Sequence, residues 1–388
     1  MIRKQTIVYL IFTAFLLYII SPWFFAKKLL FNEFLSLTGL LILGYKRFRT
    51  GPDPISQSMI VLILWGAVHA IVSLFRMDTF YYYLRNLVIV YSMMAFFVGY
   101  YCMPYLGGYV NKIRGLLKWY IGIFVFIRLP RYLFERFGVA TLFPALFRNA
   151  QNKWLPLILI LLNLVYAVTY DSFTAFVLAA FFIFLFLSPG YWFFMQVLTI
   201  GFVLFAAVFI YLQPNLSLIS HHYSYYSQRA IFEVIRSHPL LSIDGNSTWR
   251  LVLWKEIIVD HFPMNIFGMG FGTPILKYFP VEDFSKISTL PYVLGAHNSF
   301  VYLFGRLGIV YVVLISYIYL NIFKEYFYYK AYYYANNQVL IFFSFFALTF
   351  IALFNPALES PIYASGYWLV LGFTARAIGN RKNKSLTI

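Results

Sequence analysis

The chain is 388 residues long, 62% hydrophobic, 22% aromatic and only 11% charged, with a mean hydropathy of +0.75. Soluble domains carry about 45–50% apolar and about 25% charged residues, so this composition excludes a soluble enzyme, a disordered protein and a peripheral protein on one anchor. Net charge is +17, but the basic residues stand in short clusters between apolar runs; without a contiguous basic face nucleic acid is not a partner, and the clusters read as orientation signals beside anionic lipid.

Met1-Ile2-Arg3-Lys4 before the apolar run 6–24 has the look of a signal peptide. The run ends in Ser21-Pro22-Trp23-Phe24, without a small-residue cleavage site, so it is expected to stay as a first span. Further spans are expected at 29–45, 57–75, 82–102, 115–129, 154–170, 172–187, 192–212, 299–323, 339–354 and 363–377. Runs this long and uniformly apolar are helices, because strands of a membrane barrel alternate over about 10 residues. The expectation is an all-α polytopic protein of the lipid bilayer. Cys102, the single cysteine, excludes a disulfide framework and a cysteine-based zinc site.

One segment differs from the rest. Residues 214–296 hold Arg229, Arg236, Arg250, Lys255, Lys277 and Lys286, almost half of the 13 acids, and four of the six histidines. Arg3/Lys4, Lys46/Arg47/Arg49, Lys112/Arg114, Lys324/Lys330 and Arg376/Arg381/Lys382/Lys384 are assigned to the inside. Counted from the tail through three spans, the polar segment lies outside; counted forward through eight, it lies inside. The conflict calls for one more crossing, best supplied by the short, Pro-broken 137–146 (FGVATLFPAL), followed by Arg148 and Lys153. The expected layout is therefore about twelve transmembrane helices. A bundle of nine crossings occupies 1–213, a large outer loop with short helices 214–297, and three helices with an inner tail 298–388. Lys27/Lys28 then sit outside, a mild breach of the rule.

Arg76, Arg85, Arg128, Arg131 and Arg136 also fall on the outer side. Any one of them is explained by snorkelling to the interface. Together, guanidiniums facing the outer leaflet suit a phosphate-bearing ligand, whose oxygens Arg grips bidentately. Within the loop, Ser247-Thr248 precede a helix-like run 249–261, with either as a candidate N-cap; Arg250 and Trp254, four apart, share a face. Pro263 and then Gly268-Met269-Gly270-Phe271-Gly272 follow, alternate glycines that let the backbone turn and approach a ligand closely. A plain turn closing the helix is the simpler reading. The run lacks the strand context and lysine of a nucleotide loop. The loop ends in Gly295-Ala296-His297-Asn298-Ser299, before a span containing Gly305 and Gly308. Boundary histidines are usually interfacial, but an imidazole beside several arginines is held neutral and available as a base.

Taken in order, Arg250-x-x-x-Trp254, Phe262-Pro263, the turn 268–272, and His297-Asn298 opening a span with Gly305-x-x-Gly308 resemble the O-antigen ligase and Wzy-type polymerase superfamily. The motif-bearing part is 249–308; the remainder is similar only in layout. The resemblance implies a GT-C-like glycosyltransferase of the bacterial inner membrane, with its active site facing the periplasm. Members take glycan from undecaprenyl diphosphate and pass it to lipid A–core (ligases) or to another lipid-linked oligosaccharide repeat unit (polymerases), in surface polysaccharide and lipopolysaccharide biosynthesis. The resemblance also brings a chain-length regulator protein as a candidate partner. By analogy Arg250 binds the donor diphosphate and His297 activates the acceptor hydroxyl or orients the reacting groups, with Trp254, Asn298 and Gly270 beside the substrate. The family's pre-loop Ser-Arg pair falls at Asp171-Ser172-Phe173-Thr174, without an arginine; Arg131, Arg136 or Arg85 would substitute.

No cofactor is expected. Guanidiniums can stabilise a leaving diphosphate in place of a divalent ion, and the sequence has no dense carboxylate cluster for Mg²⁺. Glu282-Asp283 reads as a solvated turn and His221-His222 as interfacial; Asp171 and Glu359 are fallback bases near the outer face. Three competing readings stay open: a transporter or flippase of lipid-linked oligosaccharide, an acyltransferase using His297 differently, and a non-catalytic assembly subunit. Against transport, no repeated halves are visible.

Overall fold

The computed structural model describes residues 31–45, 53–105, 180–181, 183–185, 188–225, 245–276, 295–336 and 338–385. The expected crossings 6–24, 115–129, 137–146 and 154–170, most of 172–187, and Arg131, Arg136, Asp171 and Glu282-Asp283 lie outside the described residues. Among the described residues all regular structure is helical: α1 (Phe31–Tyr45), α2 (Pro54–Leu74), α3 (Phe80–Ser92), α4 (Tyr191–Tyr225), α5 (Gly245–Lys255), a π-turn (Glu256–Asp260), α6 (Met264–Phe267), α7 (Ser299–Tyr328), α8 (Lys330–Ala335), α9 (Val339–Phe354) and α10 (Pro361–Ser385). Among the described residues, four stretches are long and apolar enough to cross a membrane: Pro54–Leu74, Phe80–Tyr105, Tyr191–Ser217 and Ser299–Tyr328. A bilayer core about 30 Å thick needs about 20 helical residues. The chain is embedded in a membrane.

The helix starts follow from their caps. Asp53 accepts from the Ile55 and Ser56 amides and from the Ser56 hydroxyl, with Pro54 in the first turn, where its missing N–H costs nothing. Thr79 caps α3 through the Tyr82 amide. Asn298 caps α7 through the amides of Phe300 and Val301, at 3.0 and 3.1 Å. Helix contacts inside a membrane rest on close packing rather than on water exclusion. Gly99 of the continuation of α3 lies directly on the Leu369 carbonyl of α10, and Gly372 of α10 on the Phe96 carbonyl; a Cβ at either would overlap the facing backbone. Phe194 (α4), Phe323 (α7) and Phe346 (α9) pack in series with successive centroids 4.9 Å apart, the outer two rings buried.

One expectation is corrected by the backbone: neither Ser247 nor Thr248 caps the loop helix, because α5 runs from Gly245 and both fall within its first turns. α4 continues past the expected span 192–212, through Pro214 to Tyr225. Proline already has helical φ, and the acceptor it leaves free is tolerated in apolar bundles.

Candidate functional site

α5 carries Arg250 and Trp254. The Trp254 Nε1–H donates to the Ala296 carbonyl at 2.8 Å, and its ring centroid lies 6.0 Å from that of Phe205 on α4. That bond ties α5 to the segment leading into α7. Beyond Lys255 the helix widens into the π-turn. An ion pair of 2.8 Å between Lys255 and Asp260 and the Asn265 Nδ2 bonds to the Ile257 and Ile258 carbonyls close it. His261 Nε2 is 2.7 Å from the Ile275 carbonyl, so the chain on either side of the glycine turn is joined.

The turn docks on α7. Gly268 and Gly270 have φ of 90° and 71°, and Gly308, inside α7, has φ 73° and ψ −162°, which interrupts the helix. The Met269 and Gly270 amides donate to the Gly305 and Arg306 carbonyls at 2.8 and 3.0 Å. A Cβ on Gly268 would lie 2.6 Å from the Arg306 carbonyl oxygen, and one on Gly308 would overlap that of Ile266. Only glycines permit this approach. Arg306, fully buried, returns the bond: Nη1 donates to the Gly270 and Thr273 carbonyls at 2.8 and 2.6 Å, and Nη2 to the hydroxyls of Tyr82 and Tyr302. The Tyr302 hydroxyl in turn donates to Asn86 Oδ1 at 2.9 Å. From α2, Ser73 Oγ accepts from the Phe271 amide at 2.8 Å.

His297 stands where the loop enters α7. Its φ of 52° is rare for a residue with a Cβ, and such strain persists where the surroundings over-determine it. Here Ala296 before it is held by Trp254 and Asn298 after it by the α7 cap. Burial first, and the Arg250 guanidinium second, push its pKa below the ordinary 6.5. The imidazole is therefore neutral at pH 7, able to accept a proton.

Glu359, in the turn between α9 and α10, faces the same segment. Its Oε2 is 2.5 Å from the Ser299 hydroxyl, which also accepts from the Leu358 amide. Oε1 is shut off from solvent and takes no hydrogen bond from a described residue; a Cβ on Gly295 would lie 3.8 Å from it. Burial pushes this carboxyl up to about 7, against the opposing Ser299 bond.

The structure thus brings Arg250, Trp254, His297 and Asn298 together at one end of the bundle. Gly270 is buried in the same region with its amide and carbonyl both engaged by Arg306, so what it approaches closely is α7. Asn298 uses its side-chain oxygen as a cap. Arg85 is exposed in the second turn of α3 and makes no hydrogen bond or ion pair with a described residue. Arg306 was missed in the sequence, although an arginine between Gly305 and Gly308 in an apolar run was a readable signal. Comparison with family models, with curated proteins and with solved structures finds no match.

Proposed function

We propose that the protein is an integral membrane glycosyltransferase of the O-antigen ligase or polymerase type, with about twelve crossings and a GT-C-like bundle. It transfers glycan from undecaprenyl diphosphate to lipid A–core or to another lipid-linked repeat unit at the periplasmic leaflet of the bacterial inner membrane. The observation that carries this reading is the convergence of Arg250 with a strained, neutral His297, joined through the Trp254–Ala296 bond.

In this scheme Arg250 binds the diphosphate and stabilises the charge that grows on it as the bond to the anomeric carbon breaks. His297 takes the proton of the acceptor hydroxyl as that oxygen bonds to the same carbon. Diphosphate leaves with the electron pair, and the imidazolium later returns its proton to solvent or product. No cofactor or metal enters the scheme. Arg85 and the arginines 131 and 136 are candidates for a second phosphate contact.

The test is incubation of purified protein with an undecaprenyl-diphosphate glycan, with and without lipid A–core. A ladder without core identifies a polymerase; a single transfer to core identifies a ligase. No glycan transfer under either condition would overturn the reading. A flippase reading draws on the polar groups inside spans, Arg306 and the hydroxyl cluster Tyr319–Thr349–Tyr367. It predicts that substitutions there, rather than at Arg250 and His297, abolish function.

A further inference from the structure

At the end of α7 away from His297, beyond the interruption at Gly308, α2, α7 and α10 line a cavity of about 400 Å³. Three cations line it, Lys324, Arg381 and Lys382, against one acid, Glu325. The acid is already engaged: Glu325 Oε1 accepts from Arg381 Nε and from the Tyr333 hydroxyl, the latter at 2.9 Å. Arg381 is fixed twice, by that ion pair and by the Tyr329 ring, whose centroid lies 3.5 Å from Cζ. Its Nε donates to Glu325 and its guanidinium lies beside the Tyr333 hydroxyl, which leaves further N–H groups of the fork over, and Lys324 forms no hydrogen bond or ion pair with a described residue.

Simple inner-leaflet placement would leave these side chains stretched toward water. Arg381 instead has a side chain only 11% exposed, in a fixed plane beside a cavity. A held guanidinium with N–H groups to spare matches two phosphate oxygens, and an ammonium adds a point charge. Ile55 and Ile378 give the cavity an apolar side, as suits a group arriving from the membrane. We propose that this cavity binds a phosphate group, of the kind carried by an anionic phospholipid or by a soluble phosphate ester. The site is remote from Arg250 and His297 and stands whether or not the transferase reading does. Because its lining comes from three helices, occupancy would clamp α2, α7 and α10 together.

The test is the heat-unfolding midpoint of the full chain in neutral detergent at constant ionic strength. Phosphatidylglycerol, phosphatidylcholine or glycerol phosphate is titrated in turn. A ligand that binds only the folded state raises the midpoint by mass action. Phosphatidylglycerol should raise it saturably and phosphatidylcholine should not; a rise with glycerol phosphate as well would identify a soluble source. Lys324→Gln and Arg381→Lys should each raise the half-saturating concentration about tenfold or more, the loss of a hydrogen bond to a charged group. Should Arg381→Lys itself lower the unliganded midpoint, the exposed Lys324→Gln decides. No rise with either phosphate, an equal rise with phosphatidylcholine, or wild-type half-saturation in Lys324→Gln would overturn the proposal.

Discussion

His297 and Arg250 affect each other through charge, yet their substitutions should separate. A general base removed as His297→Ala lowers turnover by about 10²–10⁴-fold with donor affinity little changed. Arg250→Lys keeps the charge but loses the fork, and should weaken both donor binding and turnover. Donor binding and single-turnover rates on folded, detergent-purified protein measure this; near-normal turnover in His297→Gln would remove the base role. Glu359 makes a different prediction, in pH. Its carboxyl is raised to about 7 in the fold, from an ordinary value of 4.5. The folded state thus holds a proton that the unfolded state has lost between those values. Its contribution to stability is complete below about pH 4.5 and is lost as pH rises through 7. Glu359→Gln, a mimic of the protonated form, should remove that decline from the pH profile of the unfolding midpoint. His297, lowered rather than raised, acts in the opposite sense. The comparison therefore needs the His297→Gln background too. Parallel profiles for wild type and Glu359→Gln would remove Glu359 as the source.

At the scale of elements, the crossing of the glycine turn over α7 is the most sensitive joint. Gly308→Ala forces a Cβ onto the Ile266 carbonyl at φ 73°, and strain of this kind costs about 1–3 kcal/mol before the overlap is counted. Arg306→Met leaves the Gly270 and Thr273 carbonyls and two tyrosine hydroxyls without their shared donor, each such loss costing about 1–3 kcal/mol. Both variants should unfold at lower temperature in detergent, whereas Gly190→Ala, with open space around it, should change little. The long helices were legible because an apolar run with charged ends admits few other structures: the expected 299–323 and 339–354 fall within or on α7 and α9. The π-turn was not legible, since one extra residue in a turn leaves the apolar pattern intact. Of the site, the shared face of Arg250 and Trp254 was readable from spacing. The Trp254–Ala296 bond joins residues 42 apart, and the clasp of Arg306 spans 36 residues to Gly270 and 224 to Tyr82; such pairings depend on the fold.

For the whole molecule, the parity of crossings is open to a direct check. The twelve-crossing layout puts Asn246 in the outer loop and Ser385 in the inner tail. Cys102, the chain's single cysteine, is buried and can be replaced to give a silent background. A cysteine placed at position 246 should then react with an impermeant maleimide from outside in intact cells, and one at 385 only after the membrane is opened. Labelling of both from one side would refute the count. The same layout puts the candidate site and the phosphate cavity at opposite faces of the membrane.

The interruption at Gly308 makes the first part of α7 a half-helix with its own C-terminal end. Three carbonyls near that end, those of Gly305, Arg306 and Leu307, are satisfied from elsewhere: by the Met269 and Gly270 amides and, at 2.6 Å, by the Trp65 indole of α2. Lifting the glycine turn would expose two of these acceptors in apolar surroundings, at a cost of about 1–3 kcal/mol each. That stretch of the loop is therefore a latch on α7. Hydrogen–deuterium exchange would register the latch directly: the Met269 and Gly270 amides should exchange at the pace of the α7 interior, far more slowly than a loop ordinarily does.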